Sequence, residues 1–136
     1  EPKGKFIHFY YAFTIPGYDN KIKEMEKLLL EIKNKKGDSK SLPVSGNHSN
    51  LIGPILNALG YFYYEIDNKQ KAKQLFEEYI TLYPNGYNPY DSMGEFYFRE
   101  GDFKNSKLYY KKVLDIYPSS ISANTMLNRI NEFENQ

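Results

Sequence analysis

His8 and His48 are the only imidazoles in the chain, and they stand far apart in sequence. Neither belongs to a His-x-x-x-His or Glu-x-x-His pair, the spacing that puts two metal ligands on one helix face, so no metal site is expected. His48 lies in a Ser/Asn-rich stretch and reads as a solvated side chain rather than a general base. No serine occupies a Gly-x-Ser-x-Gly turn, the strained corner that exposes a nucleophile. No Gly-rich loop with a Lys-Ser/Thr pair is present to cradle phosphates. The chain has no cysteine, which removes thiolate chemistry and disulfides and leaves the compartment open. Acidic residues are plentiful but alternate with lysine, as over Lys21–Glu31, the pattern of a solvated helix face with weak intrahelical pairs. The sequence therefore predicts no catalytic residue, no cofactor and no enzyme.

The same inventory bears on partners. Lys104, Lys107, Lys111 and Lys112 sit among aromatics that could stack bases, but Asp102 and Asp115 flank them. With a net charge of +1, nucleic acid is not an expected partner. The longest apolar run, Phe6–Ile15, is too short to span a bilayer and lacks the features of a signal peptide, so no membrane association is expected either. The apolar fraction of 40% rules out wholesale disorder. The 14 Tyr and 9 Phe, without Trp, suggest a core whose large side chains reach the surface through polar tips. One domain is expected of 136 residues. The chain begins at Glu1 without Met, as a processed product or a piece of a longer protein would.

If side chains do no chemistry, the elements that position them carry the information. Sliding the chain along itself until Leu56 falls on Tyr90 also superposes Leu59 on Met93, Gly60 on Gly94 and Tyr63 on Tyr97. The same register superposes Ala72 on Ser106, Phe76 on Tyr110, Tyr79 on Val113 and Pro84 on Pro118. The offset, about 34 residues, equals the unit length of one kind of helical-hairpin repeat. The small pairs Gly60/Ala72 and Gly94/Ser106 would let two antiparallel helices approach closely. Asp67-Asn68 and Gly101-Asp102 can end one helix in a left-handed conformation and cap the next. Pro84 and Pro118 follow the second helices, and Asn88-Pro89 reads as an N-cap with Pro in the first helical position.

These residues resemble the signature of the tetratricopeptide repeat. The match in repeat one is Leu56, Leu59, Gly60, Tyr63, Ala72, Phe76 and Pro84, with Tyr90, Met93, Gly94, Tyr97, Ser106, Tyr110 and Pro118 in repeat two. The resemblance implies an all-α helical-hairpin solenoid (an α-α superhelix) in which these are packing residues. Tyr79 and Val113 depart from it, since the family has a small residue there, and this implies a different superhelical pitch. The expected organisation is an aromatic segment 1–18, a helix and loop 19–52, repeats 53–86 and 87–120, and a capping helix 121–136. The aromatic segment reads as a strand or as the end of a helix from a preceding domain. Asp19 is expected to cap a helix from Asn20 to about Lys36, with Ile22, Met25, Leu28, Leu29 and Ile32 as its apolar face and Gly37 as its stop. Gly37–Asn50 reads as a solvated linker. Ser119 or Ser120 caps the last helix, whose stripe is Ile121, Met126, Leu127, Ile130 and Phe133.

The phrase from Tyr83 to Gly94 is also similar to repeat segments at the C-termini of bacterial serine hydrolases of the putative-esterase (α/β-hydrolase) and β-lactamase-like types. That implies an accessory region of a larger esterase-like protein, whose catalytic domain would be a partner in cis. The repeat resemblance implies a protein or peptide partner held on the first helix of each hairpin. The positions are Asn57, Tyr61, Tyr64 and Glu65 in repeat one, and Asn88, Asp91, Glu95, Phe98 and Arg99 in repeat two, with Arg129 from the last helix. A groove that is aromatic and acidic suits a peptide with an apolar anchor and a basic residue. Alternatively Tyr61, Tyr64 and Phe98 pack internally, against the N-terminal helix. A structural spacer or dimerisation element is the alternative to an interaction module, and a stand-alone enzyme is a third reading.

Overall fold

The structure is a computed structural model that describes residues 4–36 and 51–136. Seven helices, and no strand, occupy the described residues: α1 (Lys5–Thr14), α2 (Tyr18–Lys36), α3 (Ile52–Glu65), α4 (Lys69–Leu82), α5 (Asn88–Arg99), α6 (Phe103–Ile116) and α7 (Ile121–Glu134). The expected linker Gly37–Asn50, with its helix stop at Gly37 and His48 within it, lies outside the described residues. The chain divides into two compact units, Glu1–Leu75 and Phe76–Gln136, the division falling within α4.

In the first unit α1 packs on α2 and α2 on α3. The aromatic segment, open between strand and helix in the sequence, is the helix α1. It stops because Pro16 excludes helical backbone from the residue before it, and Ile15 is accordingly extended at φ −72°, ψ 146°. Gly17 then turns the chain at φ 82° into α2. That helix starts at Tyr18, so Asp19 lies inside its first turn, not at the cap expected of it. Ile22, Met25, Leu28 and Ile32 are buried at helical spacing, whereas Leu29 is only half-buried at the margin of the stripe. Ile55, Leu56, Leu59 and Phe62 of α3 are buried in the same unit. His8 Nε2 lies 2.9 Å from Glu24 Oε2, tying α1 to α2. The Tyr63 hydroxyl donates to Glu26, tying α2 to α3. Burial, and then the Glu26 carboxylate, push that phenol up to about 12.

The second unit is built on the α5–α6 hairpin, with α7 against α6. Tyr90, Tyr110, Val113, Ala123 and Ile130 form its core, flanked by half-buried Phe98, Phe103, Met126 and Leu127. Ser106 and Gly94 meet as the small pair: the Ser106 hydroxyl donates to the Gly94 carbonyl at 2.8 Å in a buried contact. A Cβ on Gly94 would stand 3.0 Å from the Tyr110 ring, which is why the position is glycine. The Tyr90 hydroxyl donates to the Pro84 carbonyl at 2.7 Å and holds the turn into α5.

Two expectations are corrected in this unit and a third is narrowed. Asn88 does not cap α5: Tyr87 occupies the cap position, and the Asn88 amide donates to the Tyr79 hydroxyl at 3.0 Å. Of the two candidate serines, Ser120 caps α7, its Oγ accepting from the Ala123 N–H at 3.2 Å. Ile121 is 83% exposed and takes no part in the buried stripe, where Ala123 stands instead. Ile121 is the first residue of the helix, and residues next but one to each other in a helix lie on nearly opposite sides of its axis, so the two cannot share a face.

Candidate functional site

The first-helix positions fall at i, i+4, i+7 and i+8 in both hairpins, which gathers each set on one helical face. On α3 these are Asn57, Tyr61, Tyr64 and Glu65, the first three half-buried and Glu65 exposed. The Lys69 ammonium lies 5.7 Å over the Tyr64 ring, so the aromatic surface at this end already carries a cation.

The α5 face is better defined. Asp91 and Glu95, one turn apart, are both half-buried. Ser122 of α7 donates to Asp91, with Oγ 3.2 Å from Oδ1 and 3.4 Å from Oδ2. Burial raises the Asp91 carboxyl above its ordinary value and the nearby Glu95 charge adds to this, while the Ser122 hydroxyl opposes both. The face thus holds two carboxylates, one of which ionises at a cost.

Phe98, one further turn along, is engaged within its own unit. Its ring meets Phe103 at 5.6 Å and Phe133 at 5.9 Å, and the Arg129 guanidinium lies 5.2 Å over it. Within that unit its aromatic neighbours come from α6 and α7. Arg99 is exposed at the end of α5, where a cation suits the helix dipole. Asn88 is committed to Tyr79, as described. The structure thus brings together Asp91, Glu95, Phe98 and Arg129, and leaves Asn88 and Arg99 at the ends of α5.

Sequence reasoning missed Ser122, Phe103 and Phe133 as the residues that frame this face. A signal existed for Ser122, which falls on Asn88 in the register that already related the repeats. His8 faces Glu24 inside the first unit. Among the described residues no cluster of three or more His, Cys, Asp or Glu could hold a metal ion, and no helix is long and apolar enough to cross a membrane.

Two family models, both described as tetratricopeptide repeat, match residues 58–86 and 87–120. The uncharacterized protein ycf37 of Porphyra purpurea is 31% identical over 85 residues, which cover 62% of this chain and 49% of that protein. The chain thus spans about half the length of the curated relative it matches. Among solved structures, the crystal structure of the APC/C hetero-tetramer Cut9-Hcn1 is similar with a TM-score of 0.70 at 19% identity, over 90% of this chain and 22% of that one. At that identity the likeness shows the fold alone. None of these likenesses is to a hydrolase. The chain carries two tetratricopeptide repeats in an all-α fold of helical hairpins, the repeat type of protein–protein interaction scaffolds.

Proposed function

We propose that the chain is a non-catalytic interaction module that holds a peptide with a basic and an apolar residue on the α5 face, framed by α7. The observation that carries this reading is the pair Asp91 and Glu95 on one turn of a tetratricopeptide first helix, with ionised Asp91 disfavoured by its burial. A bound cation relieves that cost, and Glu95 shares the charge, so a Lys or Arg side chain is the complementary group. The Phe98 cluster beside it offers an apolar surface for the neighbouring side chain of the peptide. The Asn57, Tyr61, Tyr64 and Glu65 face of α3 is the corresponding surface of repeat one. On the resemblance of residues 83–94, the parent protein is a larger esterase-like hydrolase, its catalytic domain a partner in cis.

Titration with a short synthetic peptide that pairs one leucine with one arginine, followed by amide NMR shifts, tests the site. Shifts should concentrate on Asp91, Glu95 and Phe98, and the apparent affinity should fall by roughly tenfold or more with Asp91→Asn and Glu95→Gln together. Equal binding of the peptide carrying glutamate in place of arginine would remove the proposal. Tyr61→Ala reports separately on the α3 face.

A further inference from the structure

We infer that the outward side of α1 is a self-association surface, on which two copies of this chain meet about a two-fold axis. At 100° per residue, Phe13, Phe6, Tyr10, Thr14, Ile7 and Tyr11 follow one another around a single continuous arc of α1. Five of them are large and apolar or aromatic, and they stand exposed: Phe6 46%, Ile7 56%, Tyr10 66%, Tyr11 42% and Phe13 42%. The opposite side of the helix is used inside the unit, where Ala12 is buried and His8 meets Glu24, and Phe13, at the edge of the arc, also meets the buried Phe62 ring of α3 at 5.4 Å. The usual arrangement of a surface helix is inverted here, with the apolar residues outward, and a patch of this kind marks an interaction site.

The chemistry of the arc selects the occupant. Between Lys5 and Asp19 the only readily charged side chain is His8, and it points inward to Glu24. A charged protein surface laid on this arc would lose its hydration with nothing ionic in return. A second α1 meets it with no like charges opposed, as an isologous contact requires. A lipid surface fits less well, because helices that lie in the interface keep a cationic face towards the headgroups, and the other face of α1 is packed on α2. The area is sufficient. At about 150–250 Å² for a fully exposed large side chain, the five residues present roughly 500 Å², and two copies bury about 1,000 Å², the threshold of a specific interface. A dimer of this size is weak and concentration-dependent.

Sedimentation of the full chain between about 10 and about 500 µM, the range in which an interface at the low end of the size scale associates, decides the matter. The mass should rise from monomer to dimer. Tyr10→Glu, at the middle of the arc, should weaken the dimer by roughly tenfold or more while circular dichroism shows the helices intact. Tyr10→Lys should do the same, and an equimolar mixture of the two variants should restore association. A chain that stays monomeric throughout overturns the inference. So does a dimer that Tyr10→Glu leaves unchanged, or a monomer that co-sediments with phosphatidylcholine vesicles through this arc.

Discussion

In repeat one the chain leaves α3 through Asp67 at φ 62°, and in repeat two it leaves α5 through Gly101 at φ 77°. The hydrogen bonds are the same. Asn68 N–H returns to the Tyr63 carbonyl at 2.9 Å and Asp67 N–H to Tyr64 at 3.0 Å. Asp102 N–H returns to Tyr97 at 2.9 Å and Gly101 N–H to Phe98 at 3.0 Å. The next helix is then capped in both, Asn68 Oδ1 accepting from Lys71 N–H and Asp102 Oδ1 from Asn105 N–H. One backbone solution is thus reached with glycine in one repeat and with an L-residue in the other. The geometry of the hairpin is set by where the next helix must lie, and the residue at the turn decides only how much strain that geometry carries.

The comparison breaks most readily at the closest approach of two helices. Gly94→Ala places a methyl 3.0 Å from a Tyr110 ring that is almost wholly buried and has little room to retreat. We expect a loss of about 1–3 kcal/mol, the usual cost of overpacking, read as a lower urea midpoint. Next come the turns. A Cβ at Gly101 meets nothing within 4 Å. The cost of Gly101→Ala is therefore backbone alone, about 1 kcal/mol after allowing for the stiffer unfolded chain. Asp67→Gly is the reverse exchange and should be neutral to stabilising by about a few tenths of a kcal/mol. If both substitutions destabilise alike, side-chain contacts rather than left-handed strain govern these turns.

Much of this was legible in advance, for a physical reason. The register that relates the repeats is written in residues that each have a single job: Gly94 and Ser106 where helices touch, Asp67 and Gly101 where the backbone turns left-handed, Asn68 and Asp102 where a helix starts. Such positions tolerate few residue types, so their spacing shows in the sequence. The ends of the chain were harder to read. From Phe6 to Phe13 every residue of α1 but His8 is apolar or aromatic, and without a periodic polar face a short aromatic run is equally consistent with a strand. Asn88 followed by proline has the composition of a cap, but composition does not say that the Tyr79 hydroxyl will take the side chain first. The α5 face was legible only as a set of helix positions. Which of them are occupied from within depended on α7, since Ser122 and Phe133 reach Asp91 and Phe98 from outside the repeat.

Ser106→Ala sharpens the comparison, because it gives repeat two the residue that Ala72 supplies in repeat one. The Ser106 hydroxyl donates to the Gly94 carbonyl in the core, and its removal leaves that carbonyl with the helical bond from the Phe98 N–H. We expect a loss of about 0.5–1 kcal/mol, smaller than for Gly94→Ala, since no acceptor is stranded. A loss above about 2 kcal/mol would mean that the hydroxyl, not the small volume, is what repeat two requires.

The smallest effect separates the two first-helix faces by charge. Asp91 stands where repeat one has Asn57, and its carboxyl is raised above the ordinary value by burial and then by Glu95, against the Ser122 hydrogen bond. A carboxyl whose folded value lies above its unfolded one binds its proton more tightly in the native state. Stability from this group therefore increases as pH falls through that raised value, and its ionisation opposes folding above it. Asp91→Asn should accordingly raise the unfolding midpoint slightly at pH 7 and have no such benefit at pH 3, where the aspartic acid is already neutral. The same substitution should weaken binding of the arginine-containing peptide, because it removes the charge that the buried position holds at a cost. A variant that is more stable yet binds less well at pH 7 fits a carboxylate kept for a partner. If Asp91→Asn is less stable at pH 7, or binds the peptide as well as the parent does, the carboxylate serves the α5–α7 contact through Ser122 and nothing beyond it.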